Sequence, residues 1–267
     1  MRLRVFTFLI LGSLISIALA GQQATTPAGQ RDPQALAVLS QMAAATGWSA
    51  GNLPSDAVAT GRITRYRGDT QETLPFTLKA KGCREFRVDV QETTGPRSTV
   101  VNGSSGNVTR PDGPHPLPPR SASSMQPVPL PFFCVLAVLQ KASSSVIYAG
   151  TETVAGQFSH RIEMSTEAIT ADSLTDARRR GAVFTLWVST LNGIPTQVAT
   201  TLLASENPTA ALTLTSALSD YRAVNGLAVP FHQEVRGSGN LLYSVAVDSV
   251  NFSVSLSDSE FAVPAQP

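Results

Sequence analysis

The 267-residue chain carries little charge, and neither sign prevails: 20 lysines and arginines stand against 19 aspartates and glutamates. That balance supplies no electrostatic reason to bind nucleic acid or an anionic membrane surface. Lysine is almost missing, with three residues against seventeen arginines, a compositional habit without functional content. Beyond the first twenty residues, no apolar run approaches the ~18 residues that a bilayer-spanning helix needs. Histidine occurs only as His115, His160 and His232, none with a carboxylate at a spacing suited to acid–base work. The HExxH, GxSxG, phosphate-loop and GxGxxG motifs are absent from the contexts that give them meaning. Carboxylates are scattered singly. No catalytic residue and no cofactor is expected, and the chain reads as a non-enzyme.

Cysteine is also scarce, with only Cys83 and Cys134. Neither has a cysteine or histidine partner at ligand spacing, so no metal site is expected. In an exported chain the two either form one disulfide or remain buried thiols. A bridge would close a loop of roughly 50 residues and stabilise by about 4 kcal/mol in the chain-entropy model.

What is present begins with residues 1–20, which read as a cleaved secretory signal rather than an uncleaved membrane anchor. Arg2 and Arg4 precede an apolar stretch from Val5 to Leu19, and Ala18-Leu19-Ala20 forms a cleavage site before Gly21. Gly21-Gln22 stand where a lipoprotein signal would place its cysteine, so the expected product is periplasmic or secreted and not lipid-anchored. Without Arg2 and Arg4 the balance is 18 basic to 19 acidic residues, net −1. The remaining chain, about 247 residues, suits one large all-β domain.

Residues 21–31 are small and polar and read as a tether, leaving 32–267 as a single domain. Asp32-Pro33 opens a helix, Leu36, Leu39, Met42 and Ala43 repeat at helical spacing, and Gly47 closes it. Short stretches rich in Val, Thr, Phe and Leu then alternate with turn residues. Strands are expected near 57–67, 72–81, 84–93, 97–102 and 106–110. A second group is expected near 145–150, 158–165, 182–190, 195–204, 209–222, 227–236 and 241–254. Phe86, Val88 and Val90 share one strand face, as do Leu212, Leu214 and Leu218, and Leu227, Val229, Phe231 and Val235. Many one-sided antiparallel strands in succession predict a strongly curled sheet, an open or closed barrel.

Some features invite sharper readings. Arg67-Gly68-Asp69 is ordinary hairpin-turn chemistry, and three sequons at Asn102, Asn107 and Asn251 matter only in a eukaryotic secretory pathway. Residues 111–131 carry eight prolines and read as a long extended loop. Residues 166–181 form a polar loop or short helix ending in Arg178-Arg179-Arg180, a solvated surface. In "LPFFCVLAVLQK", eight apolar residues run from Phe132 to Leu139 around Cys134.

The order of motifs resembles a known family. The initial helix is followed by "KAKGCREFRVDV", "STVVNGSSGNV" and "LPFFCVLAVLQ", then "TLWVSTLNGIPTQVAT", "LSDYRAVNGLAVPFHQEV" and "VNFSVSLSDSEFAVP". This series, over most of residues 33–264, is similar to the periplasmic lipoprotein-carrier superfamily with its LolA-like, LolB-like and RseB-like domains. The resemblance implies a mainly β fold, an unclosed antiparallel half-barrel of about eleven strands covered by helices. It implies an apolar cavity that takes a lipid or a lipoprotein's acyl chains. The RseB-like relatives imply instead an envelope sensor or scaffold that binds a protein partner. Leu130–Lys141 would be a covering helix, with Phe132, Leu136 and Leu139 facing the cavity. Phe86, Val88, Trp187, Leu212, Leu214 and Phe231 would form the opposite wall. Two departures stand out. Gly82 falls near the place of the carriers' lid-holding arginine, with Arg84 out of register, and the 111–131 insertion is long.

Overall fold

The computed structural model describes residues 29–48, 54–179, 181–203 and 211–264. The expected signal at 1–20, most of the 21–31 segment, Arg180 and the ends of two expected strands (204 and 209–210) lie outside them. Among the described residues no helix is long and apolar enough to cross a membrane.

The chain begins with α1 (Pro33–Thr46). The Asp32 carboxylate accepts from the Gln34 amide at 2.8 Å, Pro33 fixes the first turn, and Gly47 ends the helix at φ 75°. A Cβ at Gly47 would meet the Gly226 carbonyl at 2.3 Å, so this turn also admits the close approach of another loop. The buried stripe of α1 is Ala35, Val38, Leu39 and Met42.

Thirteen strands follow: β1 (Ala57–Arg67), β2 (Thr70–Lys81), β3 (Glu85–Glu92), β4 (Gly95–Asn102), β5 (Ser105–Arg110), β6 (Gly113–Pro116), β7 (Ser145–Val154), β8 (Gln157–Ser165), β9 (Phe184–Ser189), β10 (Pro195–Leu203), β11 (Ala211–Val224), β12 (Leu227–Gly237) and β13 (Asn240–Phe252). They form one antiparallel sheet in the order β6-β5-β4-β3-β2-β1-β13-β12-β11-β10-β9-β8-β7. The sheet is not closed into a barrel, so the expected half-barrel stands, with thirteen strands rather than about eleven. The strand without a sequence signal is β6. It contains Pro114 and Pro116, which only an edge strand tolerates, and it is indeed an edge.

Both wings are antiparallel meanders, mostly of successive hairpins, with β8 and β9 joined by a longer connection that carries a short helix, Leu174–Arg179. They join at the seam between β1 and β13, where Ala59 opposes Val250 and Ile63 opposes Val245. Asp56, only 2% exposed, ties this seam by accepting from the amides of Val254 (2.7 Å) and Leu256 (2.9 Å). The two outer edges, β6 and β7, are consecutive in sequence, so the chain between them must travel from one side of the sheet to the other. That crossing carries α2 (Pro119–Ser124) and α3 (Phe132–Gln140). The region expected as a single extended loop therefore holds a strand and a short helix, with Pro119 in the first turn of α2. On the far edge, the Val146 amide donates to the Gln30 carbonyl (2.8 Å) and the Asp32 amide to the Val146 carbonyl (2.9 Å). The last residues of the expected tether thus cover the β7 edge.

Helix α3 lies inside the core. Phe132, Phe133, Cys134, Val135, Leu136 and Val138 are all buried, and a helix apolar all round belongs in an interior. Phe132 stacks within a ring cluster, its centroid 5.2 Å from Trp48, 4.6 Å from Phe133 and 5.8 Å from Phe252. Cys134 is disulfide-bonded to Cys83, in the turn between β2 and β3. That resolves the open choice between bridge and free thiols.

Candidate ligand cavity

The inward face of the sheet follows strand parity. Ile63 and Arg65 on β1, Phe76 on β2, Phe86, Val88 and Val90 on β3, and Arg97 and Thr99 on β4 line a lobe of about 180 Å³. A second lobe, of about 350 Å³, lies against the other wing, bordered by Val198 and Leu202, Leu212 and Leu214, Gln233 and Val235. The lobes adjoin, sharing Arg97, Met125, Gln126, Val128 and Tyr243. The larger lobe alone reaches the range of small-molecule sites, and the walls of both are mostly apolar.

The roof is the irregular strap from Ser124 to Pro131, between α2 and α3. It is held at several points. Arg84 donates through Nη1 to the Ser123 carbonyl, and the Leu203 amide donates to Ser124 Oγ at 3.1 Å. Ser121 Oγ donates to the Leu203 carbonyl on β10. In the middle, Gln233, 1% exposed, donates from Nε2 to the Pro129 carbonyl at 2.6 Å. A buried amide needs such a partner, so this bond fixes both β12 and the strap. Arg84, placed out of register by the sequence resemblance, holds the last turn of α2, from which the strap departs. Its guanidinium is pushed below its ordinary pKa by burial, partly offset by the charge of Glu167.

At one side of the cavity the lining turns polar. Arg65 Nη1 meets Glu92 Oε1 at 2.6 Å, and Arg97 Nη1 lies 3.7 Å from the same oxygen. Burial opposes ionisation of Glu92, but the hydrogen bond and charge of Arg65, helped by Arg97, hold it below the usual carboxylate range. Arg97 is lowered by burial and then by the charge of Arg65. Burial pushes the Tyr243 phenol up to about 12, so it stays a hydrogen-bond donor throughout the physiological range.

By sequence, the chain matches no family model, and no curated protein at a significant level. By structure, it superposes on a LolA superfamily protein from Nitrosomonas europaea with a TM-score of 0.54 and 14% identity, covering 85% of this chain and 97% of that one. A putative outer membrane lipoprotein-sorting protein domain from Vibrio parahaemolyticus gives 0.54 and 12%, over 85% and 95%. A DUF1329 family protein from Desulfovibrio piger gives 0.54 and 11%, over 86% and 96%. The chain has a LolA-like fold.

Within that LolA-like frame the expected wall residues divide. Phe86 and Val88 line the smaller lobe, and Leu212 and Leu214 the larger. Phe132 and Leu136 are buried in the α3 core and Leu139 packs beside it, so the covering role falls to the strap before the helix. Phe231 is 6% exposed in the core, with the Arg222 guanidinium 4.5 Å above its ring. Trp187 lies on the opposite sheet face, across from Arg161 on β8, and donates from Nε1 to Glu152. Arg65, Arg97, Tyr243 and the strap residues Met125, Gln126 and Val128 were missed. Parity did carry a signal for the first two, since Arg65 shares a face with Ala59 and Ile63, and Arg97 with Thr99 and Val101.

Proposed function

We propose that the protein is an exported, non-enzymatic binding protein that holds a lipid or the acyl chain of a lipoprotein under the strap of its half-barrel. The observation that carries this reading is the pair of adjoining apolar lobes left unfilled between sheet and strap. Each methylene taken from water into such a lining contributes about 0.8 kcal/mol. A chain of about ten methylenes therefore gains roughly 8 kcal/mol before the ordering cost of binding is subtracted. Export is supported by the signal-like residues 1–20 and by the disulfide, which belongs to oxidising compartments. The LolA-like fold supports the same class of ligand.

The test is occupancy. Native mass spectrometry of protein purified under non-denaturing conditions, followed by titration of the delipidated protein with a fluorescent fatty-acid analogue, should show one bound chain. Val88→Trp and Leu214→Trp each push an indole into one lobe. They should weaken the titration at least tenfold while the far-UV spectrum and melting transition persist. Saturable binding that ignores both substitutions would sink the cavity as the site.

A further inference from the structure

The two lobes are mostly apolar, and the only charged side chains among their described lining residues are two arginines on one side. We propose that the occupant is an amphiphile with an anionic head group, and that this group is held by Arg65 and Arg97. The inference rests on the lipid-binding reading above and adds the chemistry of the ligand's polar end.

Arg65 and Arg97 both line the cavity, and Arg97 borders both lobes, so it stands where a chain in either lobe must present its head. Their side chains are 16% and 33% exposed, which places them at the rim rather than in the dry interior. The carboxylates nearby do not fully answer the arginines. Glu92 is taken by Arg65 at 2.6 Å, which leaves Arg97 a longer 3.7 Å contact to the same oxygen. Arg97 Nε is buried without a hydrogen-bond partner. Glu72 lies opposite Arg65 in the register, and Arg110 acts on Arg97 as a further like charge. Arg65 and Arg97 thus share one close carboxylate, Glu92, which leaves the more distant Arg97 incompletely neutralised. A partly desolvated guanidinium with a free N–H is a strong binder of carboxylate or phosphate oxygens. A purely structural pair would need one arginine for the Glu92 carboxylate. The second arginine, facing its like charge at the mouth of an apolar cavity, is what a head group would neutralise.

The experiment compares chains of equal length with different heads, using the oxidised full-length mature protein: hexadecanoate, hexadecanol and hexadecyltrimethylammonium, by displacement of a fluorescent probe. Phosphatidylglycerol and phosphatidylcholine of equal acyl length, added as monomers below their aggregation limit, form the second arm. Hexadecanoate should bind at least tenfold tighter than hexadecanol, with the cation weakest. Preference for hexadecanoate over phosphatidylglycerol assigns the site to a carboxylate, and the reverse order to a phosphate. Arg97→Gln should bring the acid-to-alcohol ratio toward one. Glu92→Gln, which removes the competing carboxylate and keeps both arginines, should widen it. Equal binding of acid and alcohol, or a ratio that neither substitution moves, overturns the head-group assignment while the cavity reading survives. Failure of every probe to bind overturns the reading on which it rests.

Discussion

Reducing the Cys83–Cys134 bond tests how far the roof and the plug depend on one covalent staple. The bridge spans 51 residues of sequence and joins the turn between β2 and β3 to α3, just past the end of the strap. In the chain-entropy model a loop of that length destabilises the unfolded chain by about 4 kcal/mol. For a chain of this size each kcal/mol moves the melting temperature by about 2–4 °C, so reduction should lower it by roughly 8–16 °C. Among the described residues there is one bridge and no free cysteine, so the oxidised and reduced samples share every other bond. Paired calorimetric scans with and without a phosphine reductant make the measurement, with thiol counting to confirm reduction. On the proposed function, a lipid probe should also exchange faster from the reduced protein, because the strap keeps its hydrogen bonds and the packing of Met125 and Val128 but loses the covalent tie beside its end. A reduced protein that melts within about 2 °C of the oxidised one would refute the view that the staple restrains the unfolded chain as its loop length dictates.

Other expectations follow from packing and charge. Phe132→Ala empties the ring cluster formed with Trp48, Phe133 and Phe252, and should cost about 3–5 kcal/mol in denaturant unfolding; a loss under 1 kcal/mol would contradict its place in the core. The Glu92 carboxyl is depressed by its arginines, so its stabilising contribution is present above its unfolded pKa of ~4.3 and disappears as pH falls through the lower folded value. The stability gap between wild type and Glu92→Gln should thus be open at pH 6 and shut in strong acid. A gap that persists unchanged would show that the loss has another source. The tryptophan substitutions and the head-group series described above complete the set.

Strand alternation made most of the sheet legible in advance because antiparallel strands with one wet face keep a period of two. β1 matches its expected span of 57–67. The signal failed where that condition failed. Every residue of β9, including Trp187, is buried on one face or the other, so parity alone could not say which side the indole takes. β6 was hidden by prolines that its edge position allows. α3 was read as one-sided from Phe132, Leu136 and Leu139, although Phe133, Val135 and Val138 filled its other face and already argued for a plug. The cavity itself was not readable. It arises from how far the sheet curls and where the strap rests, and Arg84, Gln233 and Leu203 set that position across long sequence separations.

The seam in the middle of the sheet governs the order in which the molecule can be assembled. β1 is the first strand and β13 the last, yet they are neighbours. Each wing can gather through local hairpins as it emerges, but the inner edge of β1 stays unpaired until residues near Val245 and Val250 exist to meet Ile63 and Ala59. The final join closes a loop of nearly the whole domain, the kind of long-range contact that forms slowly. A chain truncated before β13 would thus yield two unjoined fans of strands.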